Sequence, residues 1–233
     1  MQIDLNADLG EGGAFDAELM TLVTSANVCC GLHAGDPGTI WTTLELAKAA
    51  GVTVGAHPGF ADREHFGRRE NAVTDEDVFR LCLYQLGALG ELAHFLGVEV
   101  KYVKPHGALY HQICRDGMLA SALIEVAEGA NDLPVVGLPG SQLEVTALSQ
   151  GYPFVPEGFA DRRYRPDGLL VPRSEPDAFV HDPAEAVSQV EWLIREKGVR
   201  TVCVHGDNPE AVAFTRAVRE SLLARGHTLQ AFA

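Results

Sequence analysis

A chain of 233 residues is long enough for one large core, and its net charge of −14 argues against nucleic acid or an anionic membrane surface as a partner. No apolar run approaches the ~20 residues that cross a bilayer. The start, Met1-Gln-Ile-Asp-Leu-Asn6, has neither the basic nor the apolar region of a signal peptide, so a cytoplasmic location is expected.

Ile3 to Asn6 reads as the first strand, ending in the glycine-rich acidic loop Asn6-Ala-Asp8-Leu-Gly-Glu11-Gly-Gly13. Ala26 to Cys30 is the second strand and Pro37 to Ala50 its helix. Cys29 and Cys30 are adjacent on that strand and point to opposite faces. The five cysteines read as reduced core thiols, and no base is evident for a catalytic Cys30. The third strand, Val52 to Ala56, ends at His57-Pro58-Gly59, and a long loop with Phe66-Gly67-Arg68-Arg69 follows. Thr74 and Asp77 form a capping box for a helix that places Val78, Leu81, Cys82, Leu86, Leu89, Ala93 and Leu96 on one face. Lys101 to Lys104 is the fourth strand, ending at Pro105-His106-Gly107, and a helix runs from about Asp116 to Ala130.

Pro134 to Leu138 is the fifth strand, and Ser141 with Glu144 caps the next helix. A short sixth strand, Phe154 to Pro156, leads into the loop Glu157-Gly-Phe-Ala-Asp161-Arg162-Arg163-Tyr164 and onward to about Asp182. Asp182-Pro183-Ala-Glu185 starts a helix. Thr201 to Val204 is the seventh strand, ending at His205-Gly206-Asp207, and a last helix covers roughly Pro209 to Arg225. Thr228 to Phe232 adds an eighth strand or a closing edge. This β-α alternation implies a parallel sheet with helices outside. No composition shift marks a second domain, so residues 1–233 are expected to form one β/α barrel, with an open doubly wound sheet as the alternative.

At His57, His106 and His205 a β-branched strand ends in His and a glycine follows at once or, at His57, after Pro58, and His33 sits in the equivalent loop of the second strand. Closure of a barrel would bring them to one mouth with Asp8, Glu11, Asp36, Lys104, Glu157, Asp161 and Asp207. Histidines and carboxylates around a shared cavity are the usual parts of acid–base or metal chemistry. The pairs Arg68-Arg69 and Arg162-Arg163 suit a carboxylate or phosphate. Structural readings compete at some positions. Asp36 and Asn208 each precede a proline and could be helix N-caps, Glu11 could cap a turn, and Tyr110 and His111 read as packing or surface. A P-loop, a G-x-S-x-G elbow, H-E-x-x-H and paired C-x-x-C are all missing, so no zinc site is signalled.

These motifs resemble the LamB/YcsF family: Asp4 to Glu11, Asn27 to Asp36, Gly55-Ala-His-Pro-Gly59, Phe66 to Arg69, Val103-Lys-Pro-His-Gly-Ala-Leu-Tyr110, Glu157 to Arg162, Asp167 to Arg173 and Val204-His-Gly-Asp207. Cys29 and His111 stand where a small residue and Asn are common. The resemblance implies a seven-stranded variant of the β/α barrel, akin to polysaccharide deacetylases. It implies ATP-dependent opening of 5-oxoproline to L-glutamate, with ATP and Mg²⁺ as cofactors and the B and C subunits of 5-oxoprolinase as partners; homo-oligomerisation stays open. The deacetylases hold a metal with Asp and a His-x-x-x-His pair, which is absent here, so no structural metal is expected. The residues expected to act in catalysis are Asp8, His33, Lys104, His106, Glu157 and Asp161. Asn6, Glu11, Asn27, Asp36, His57, Arg68, Arg69, Arg162, His205 and Asp207 are expected to bind substrate. The rival readings are a stand-alone metal-dependent amide or sugar deacetylase and a non-catalytic lactam-binding protein.

Overall fold

A computed structural model describes residues 1–165, 168–206 and 210–233. Its strands are β1 (Gln2–Leu9), β2 (Ser25–Cys29), β3 (Thr53–His57), β4 (Val100–Val103), β5 (Val135–Gly137), β6 (Phe154–Phe159), β7 (Thr201–Val204) and β8 (Thr228–Leu229). Its helices are α1 (Asp16–Met20), α2 (Pro37–Ala50), α3 (Asp75–Leu96), α4 (Gly107–Arg115), α5 (Gly117–Gly129), α6 (Gln142–Ser149), α7 (Pro183–Lys197) and α8 (Ala211–Ala224). Strands β1 to β7 pair in parallel in chain order, and β1 pairs with both β2 and β7, which closes a seven-stranded barrel. The eighth strand does not join the ring. It lies parallel to the start of β1, through Gln2 with Thr228 and Ile3 with Leu229.

Alternation along the strands decides what each face holds. On β1, Ile3, Leu5, Ala7 and Leu9 point to the helices and enter the large apolar core, whereas Asp4, Asn6 and Asp8 point into the barrel. The same period puts Ser25 and Asn27 of β2, Glu157 of β6 and Thr201 of β7 inside, all fully buried. Beneath them Tyr102, Val136 and Val155 plug the amino-terminal end of the barrel, with Phe232 against the Tyr102 ring.

Helix ends follow the expected caps. The Asp36 carboxylate accepts from Thr39 N–H at 2.8 Å at the start of α2, and Gly51 ends that helix in the left-handed conformation. Thr74 and Asp77 form a complete capping box at α3. At α6 the Ser141 hydroxyl accepts from Glu144 N–H, but the Glu144 carboxylate accepts from Gly140 N–H, so that cap is not a reciprocal box. Several elements differ from the sequence reading. Strand β1 runs on past Asn6 to Leu9, which puts Asp8 on the strand rather than in a loop, and a short helix, α1, precedes β2. Strand β6 does not stop at Pro156; it continues through Glu157 to Phe159, which moves Glu157 from a rim loop into the barrel wall. The turn after His106 opens at once into helix α4, whose buried face is Ala108, Leu109, Tyr110, Ile113 and Cys114. Among the described residues no helix is long and apolar enough to cross a membrane.

Candidate active site

The carboxyl ends of the strands open into a cavity of about 690 Å³. Its floor is Asp8, Glu11, His57, Lys104, His106 and His205; its wall carries Arg68, Arg115, Arg165 and Arg173. An acidic and imidazole-rich floor under an arginine-lined wall is a place for an anion that also needs proton transfer.

Beneath the floor a polar network crosses the barrel interior. Lys104 donates to Asp8 Oδ1 at 2.9 Å and lies 3.0 Å from Glu157 Oε1. Asn27 Nδ2 donates to Asn6 Oδ1 at 2.7 Å and to Asp8 Oδ1 at 2.8 Å, and the Tyr102 hydroxyl donates to Asn27 Oδ1 at 2.7 Å. Asn6 Nδ2 donates to Thr201 Oγ1 at 2.6 Å and Glu157 Oε1 at 3.2 Å, while Thr24 and Ser25 hydroxyls satisfy Asp4. Burial by itself would neutralise Asp8, but His57 and Lys104 outweigh it and hold the carboxyl well below the usual carboxylate range. Burial likewise opposes the Lys104 ammonium, and Asp8, the Cys203 sulfur and Glu157 reverse that effect and keep it charged. Burial raises the Glu157 carboxyl, which Lys104 only partly offsets.

Three histidines and one carboxylate crowd together at one side of the floor. His33 donates from Nε2 to Glu11 Oε1 at 3.0 Å, His106 Nδ1 lies 3.1 Å from the same oxygen, and His57 Nε2 faces His106 Nδ1 at 3.0 Å. The His33 and His106 rings stack 4.0 Å apart. Burial pushes His33 down to about 4, despite Glu11, and lowers His106. Burial opposes the charge on His57, but Asp8 overrides it and raises the group. Glu11 is held far below the usual range because His106 and His33 outweigh its burial.

Local backbone explains how so many rings fit. A Cβ on Gly59 would lie 2.4 Å from His33 Nδ1, so only glycine lets the β3 loop close over that ring. Gly67 is in the left-handed region at φ +63° and would bring a Cβ within 2.8 Å of His33 Cβ. The preceding residue, Phe66, takes φ +55° without being glycine, an unfavourable conformation that turns its carbonyl to accept from His106 Nε2 at 2.8 Å.

On the opposite side of the floor, His205 donates from Nδ1 to Asp161 at 2.8 Å, its own backbone N–H bonds Asp161 at 3.2 Å, and its ring stacks on Phe159. Burial opposes the Asp161 charge, and His205 more than compensates, so the carboxyl stays low.

The structure thus brings Asp8, Glu11, His57, Lys104, His106, Arg68, Arg162 and His205 to the cavity. His33, Asn6, Asn27, Glu157 and Asp161 lie directly behind that lining, buried and bonded to it. Arg162 is largely tied up internally, donating to the carbonyls of Ala178 and Val171, and so ties the start of its loop to residues 171–178. Two expectations fail to reach the cavity. Asp36 is exposed and serves as the α2 cap, and Arg69 is exposed with Asp62 as its ionic neighbour at 3.8 Å. Asp207 lies outside the described residues. Cys30 is buried with its thiol pushed well up by burial, so it is no nucleophile.

Sequence reasoning missed Arg115, Arg165, Arg173, Tyr110 and His111 as lining residues. The arginines sit in a Pro- and Gly-containing loop and at a helix end, where no periodicity distinguishes an inward charge from a solvated one. It also expected no structural metal, for want of a linear motif, and left a metal at this site open. The ligand-type atoms of Glu11, His33, His57 and His106 nevertheless lie within 4.8 Å of one another, a group able to hold an ion, and they come from four different strand ends.

The LamB/YcsF family profile matches residues 3–233. The chain is 45% identical over 243 residues to the 5-oxoprolinase A-subunit of Methylococcus capsulatus, covering 96% of this chain and 93% of that one. It is 46% identical over 251 residues to the protein of the same name in Thermus thermophilus, covering 100% of both. The crystal structure of a lactam utilization protein from Thermus thermophilus superposes with a TM-score of 0.90 at 42% identity over all of both chains. A family 4 carbohydrate esterase from Streptomyces lividans superposes at 0.58 with 10% identity, over 100% of this chain and 93% of that one, a likeness of fold alone.

Proposed function

Because the chain belongs to the LamB/YcsF family, we propose that it is the A-subunit of an ATP-dependent 5-oxoprolinase, opening 5-oxo-L-proline to L-glutamate with hydrolysis of ATP. The observation that carries this reading is 45–46% identity over nearly the whole chain to proteins of that name. We read residues 1–233 as one barrel domain acting in the cytoplasm with the B and C subunits as partners.

The cavity supports the reading chemically. A five-membered lactam is an unstrained amide, so its opening near neutral pH is unfavourable and needs coupling to ATP. Bound ATP with Mg²⁺ supplies an activated oxygen on the lactam carbon. The chain's own residues then have three tasks. The arginine wall, with Arg68 and Arg173 at the mouth, suits the substrate carboxylate and phosphate oxygens. Asp161 accepts from His205 Nδ1, which leaves Nε2 as the basic nitrogen of the ring; that pair takes a proton from water or returns one to the ring nitrogen. Asp8 and Lys104, fixed against each other, give the floor a set charge pattern, with Glu157 holding the lysine from behind. His106 and Glu11 face the lactam side of the cavity, and His33 positions both.

The acidic loop around Glu11 is a poor phosphate cradle, and no nucleotide-binding motif occurs in the sequence. Turnover is therefore expected only in the complex. The test is 5-oxoproline-dependent release of glutamate and ADP by the purified chain, alone and with the two partner subunits. Negligible release alone and turnover on reconstitution are expected. No turnover in the assembled complex overturns the activity, and an isolated chain matching the complex overturns the need for partners.

A further inference from the structure

We propose that Glu11, His33, His57 and His106 form a binding site for one divalent transition-metal ion of the zinc and cobalt class, open toward the cavity. This group holds an excess of hydrogen-bond acceptors. His57 donates its Nδ1–H to the Lys104 carbonyl at 2.7 Å, and His106 donates its Nε2–H to the Phe66 carbonyl at 2.8 Å. A carbonyl only accepts, so both tautomers are fixed in the neutral rings, and the remaining nitrogens carry lone pairs. Those nitrogens, His57 Nε2 and His106 Nδ1, face each other at 3.0 Å. Glu11 Oε1 lies 3.1 Å from the second and 3.7 Å from the first, and Asp8 Oδ2 stands 3.3 Å from His57 Nε2. Only His33 Nε2–H brings a proton to this group, and ligation through Nε2 moves that proton to Nδ1, a buried nitrogen with no hydrogen-bond partner. Buried acceptors at these separations repel unless a cation sits among them.

The spacing fits an ion. Four tetrahedral ligands each 2.0–2.1 Å from a metal stand about 3.3 Å apart. Four of the six separations here are 3.0, 3.0, 3.1 and 3.7 Å, and all six lie within 4.8 Å. Ring nitrogens whose other N–H bonds a backbone carbonyl are the usual outer arrangement of metal-bound histidine. Three imidazoles with one carboxylate suit zinc or cobalt far better than magnesium, which takes oxygen ligands. The site is also built: His33, His57 and His106 are 1%, 1% and 4% exposed, and the glycines at 59 and 67 exist where a side chain would displace His33. Glu11, His57 and His106 line the cavity while His33 does not, so a water or a carbonyl or carboxylate oxygen entering there would add from that side as a fifth ligand.

A second group, Asp8, Cys203 and His205, is a weaker candidate, because the Lys104 ammonium already lies 3.1 Å from Cys203 Sγ and 2.9 Å from Asp8. The other state that relieves the acceptor excess is an added proton that makes His57 an imidazolium.

The test uses the full chain, stripped with a chelator and titrated separately with Co²⁺ and Zn²⁺. One equivalent of each is expected, the cobalt form showing the strong visible bands of four- or five-coordinate Co²⁺ without thiolate charge transfer. His33→Gln and His106→Gln are each expected to weaken binding at least about 100-fold, and Cys203→Ser to leave it unchanged. Circular dichroism checks that the variants fold. X-ray absorption of the zinc-loaded wild type gives a readout needing no variant: nitrogen and oxygen neighbours with multiple-scattering from several imidazoles. Folded wild type that takes up neither ion overturns the proposal. So does sulfur ligation lost in Cys203→Ser.

Discussion

Lys104 on the end of β4 and Asp8 on β1 meet across the barrel, 2.9 Å from Nζ to Oδ1, although their strands are not neighbours in the sheet. Glu157 of β6 closes the third side at 3.0 Å, so one ammonium answers two carboxylates at the floor of the cavity, with Lys104 and Glu157 buried.

Lys104→Met should therefore cost far more than a lost methylene stem. It leaves Asp8 and Glu157 facing each other without a counter-charge, and removing one member of a buried pair typically costs about 3–5 kcal/mol. The unfolding free energy should fall by that amount, read as a lower urea midpoint with an unchanged slope, and adding Glu157→Gln should restore part of it. A single variant as stable as wild type contradicts the buried triad.

His106→Ala should lower 5-oxoproline-dependent turnover of the reconstituted complex by about 10²-fold or more, with the melting transition retained. His106 lines the cavity and touches Glu11, His57 and the strained Phe66 carbonyl, so its removal disturbs the floor whichever of those contacts matters most. Near-normal turnover in that complex rules out a role for this ring.

Much of this arrangement is legible in the sequence because two local rules coincide. Alternation along the strands and the Pro, Gly and capping residues after them give the element order, and a histidine at a strand end has only one rim of a parallel barrel to occupy. Glu157 defeats those rules: Pro156 and Gly158 flank it and look like a loop, yet β5 and β7 pair with that segment on both sides and carry the strand through. Local pattern leaves Asp36 open between cap and ligand, and the Thr39 amide decides for the cap. The four atoms around Glu11 are invisible to any linear motif because barrel closure, not chain spacing, brings them together.

Asp161→Asn should leave the His205 ring in place and reverse its tautomer. The carboxylate now accepts from Nδ1–H; an amide can instead donate to Nδ1 and leave the proton on Nε2, the nitrogen that must act as base. A fall in kcat of about 10²–10⁴-fold is expected, as for other oriented imidazoles, with KM little changed. Asp161→Glu should recover part of the loss. An unchanged kcat in Asp161→Asn would falsify the pairing as a catalytic device.

His111 supplies a test by pH. Burial on α4, with Arg162, Arg115 and Arg173 nearby, pushes its imidazole down to about 4 from an ordinary 6.5. The unfolded chain therefore binds a proton that the folded chain refuses throughout the window from pH 6.5 to 4. Stability from this group is complete above pH 6.5, declines as pH falls through the window and is lost below pH 4. At about 1.4 kcal/mol per unit the full effect is of order 3 kcal/mol. Replacing His111 with Asn removes the titration, so the difference in unfolding free energy between wild type and His111→Asn should shift by that order between about pH 7 and about pH 4, in favour of the variant at the acid end. Denaturant unfolding at the two pH values measures it. Parallel pH dependence of the two proteins would show that His111 is protonated as readily in the folded barrel as in the unfolded chain.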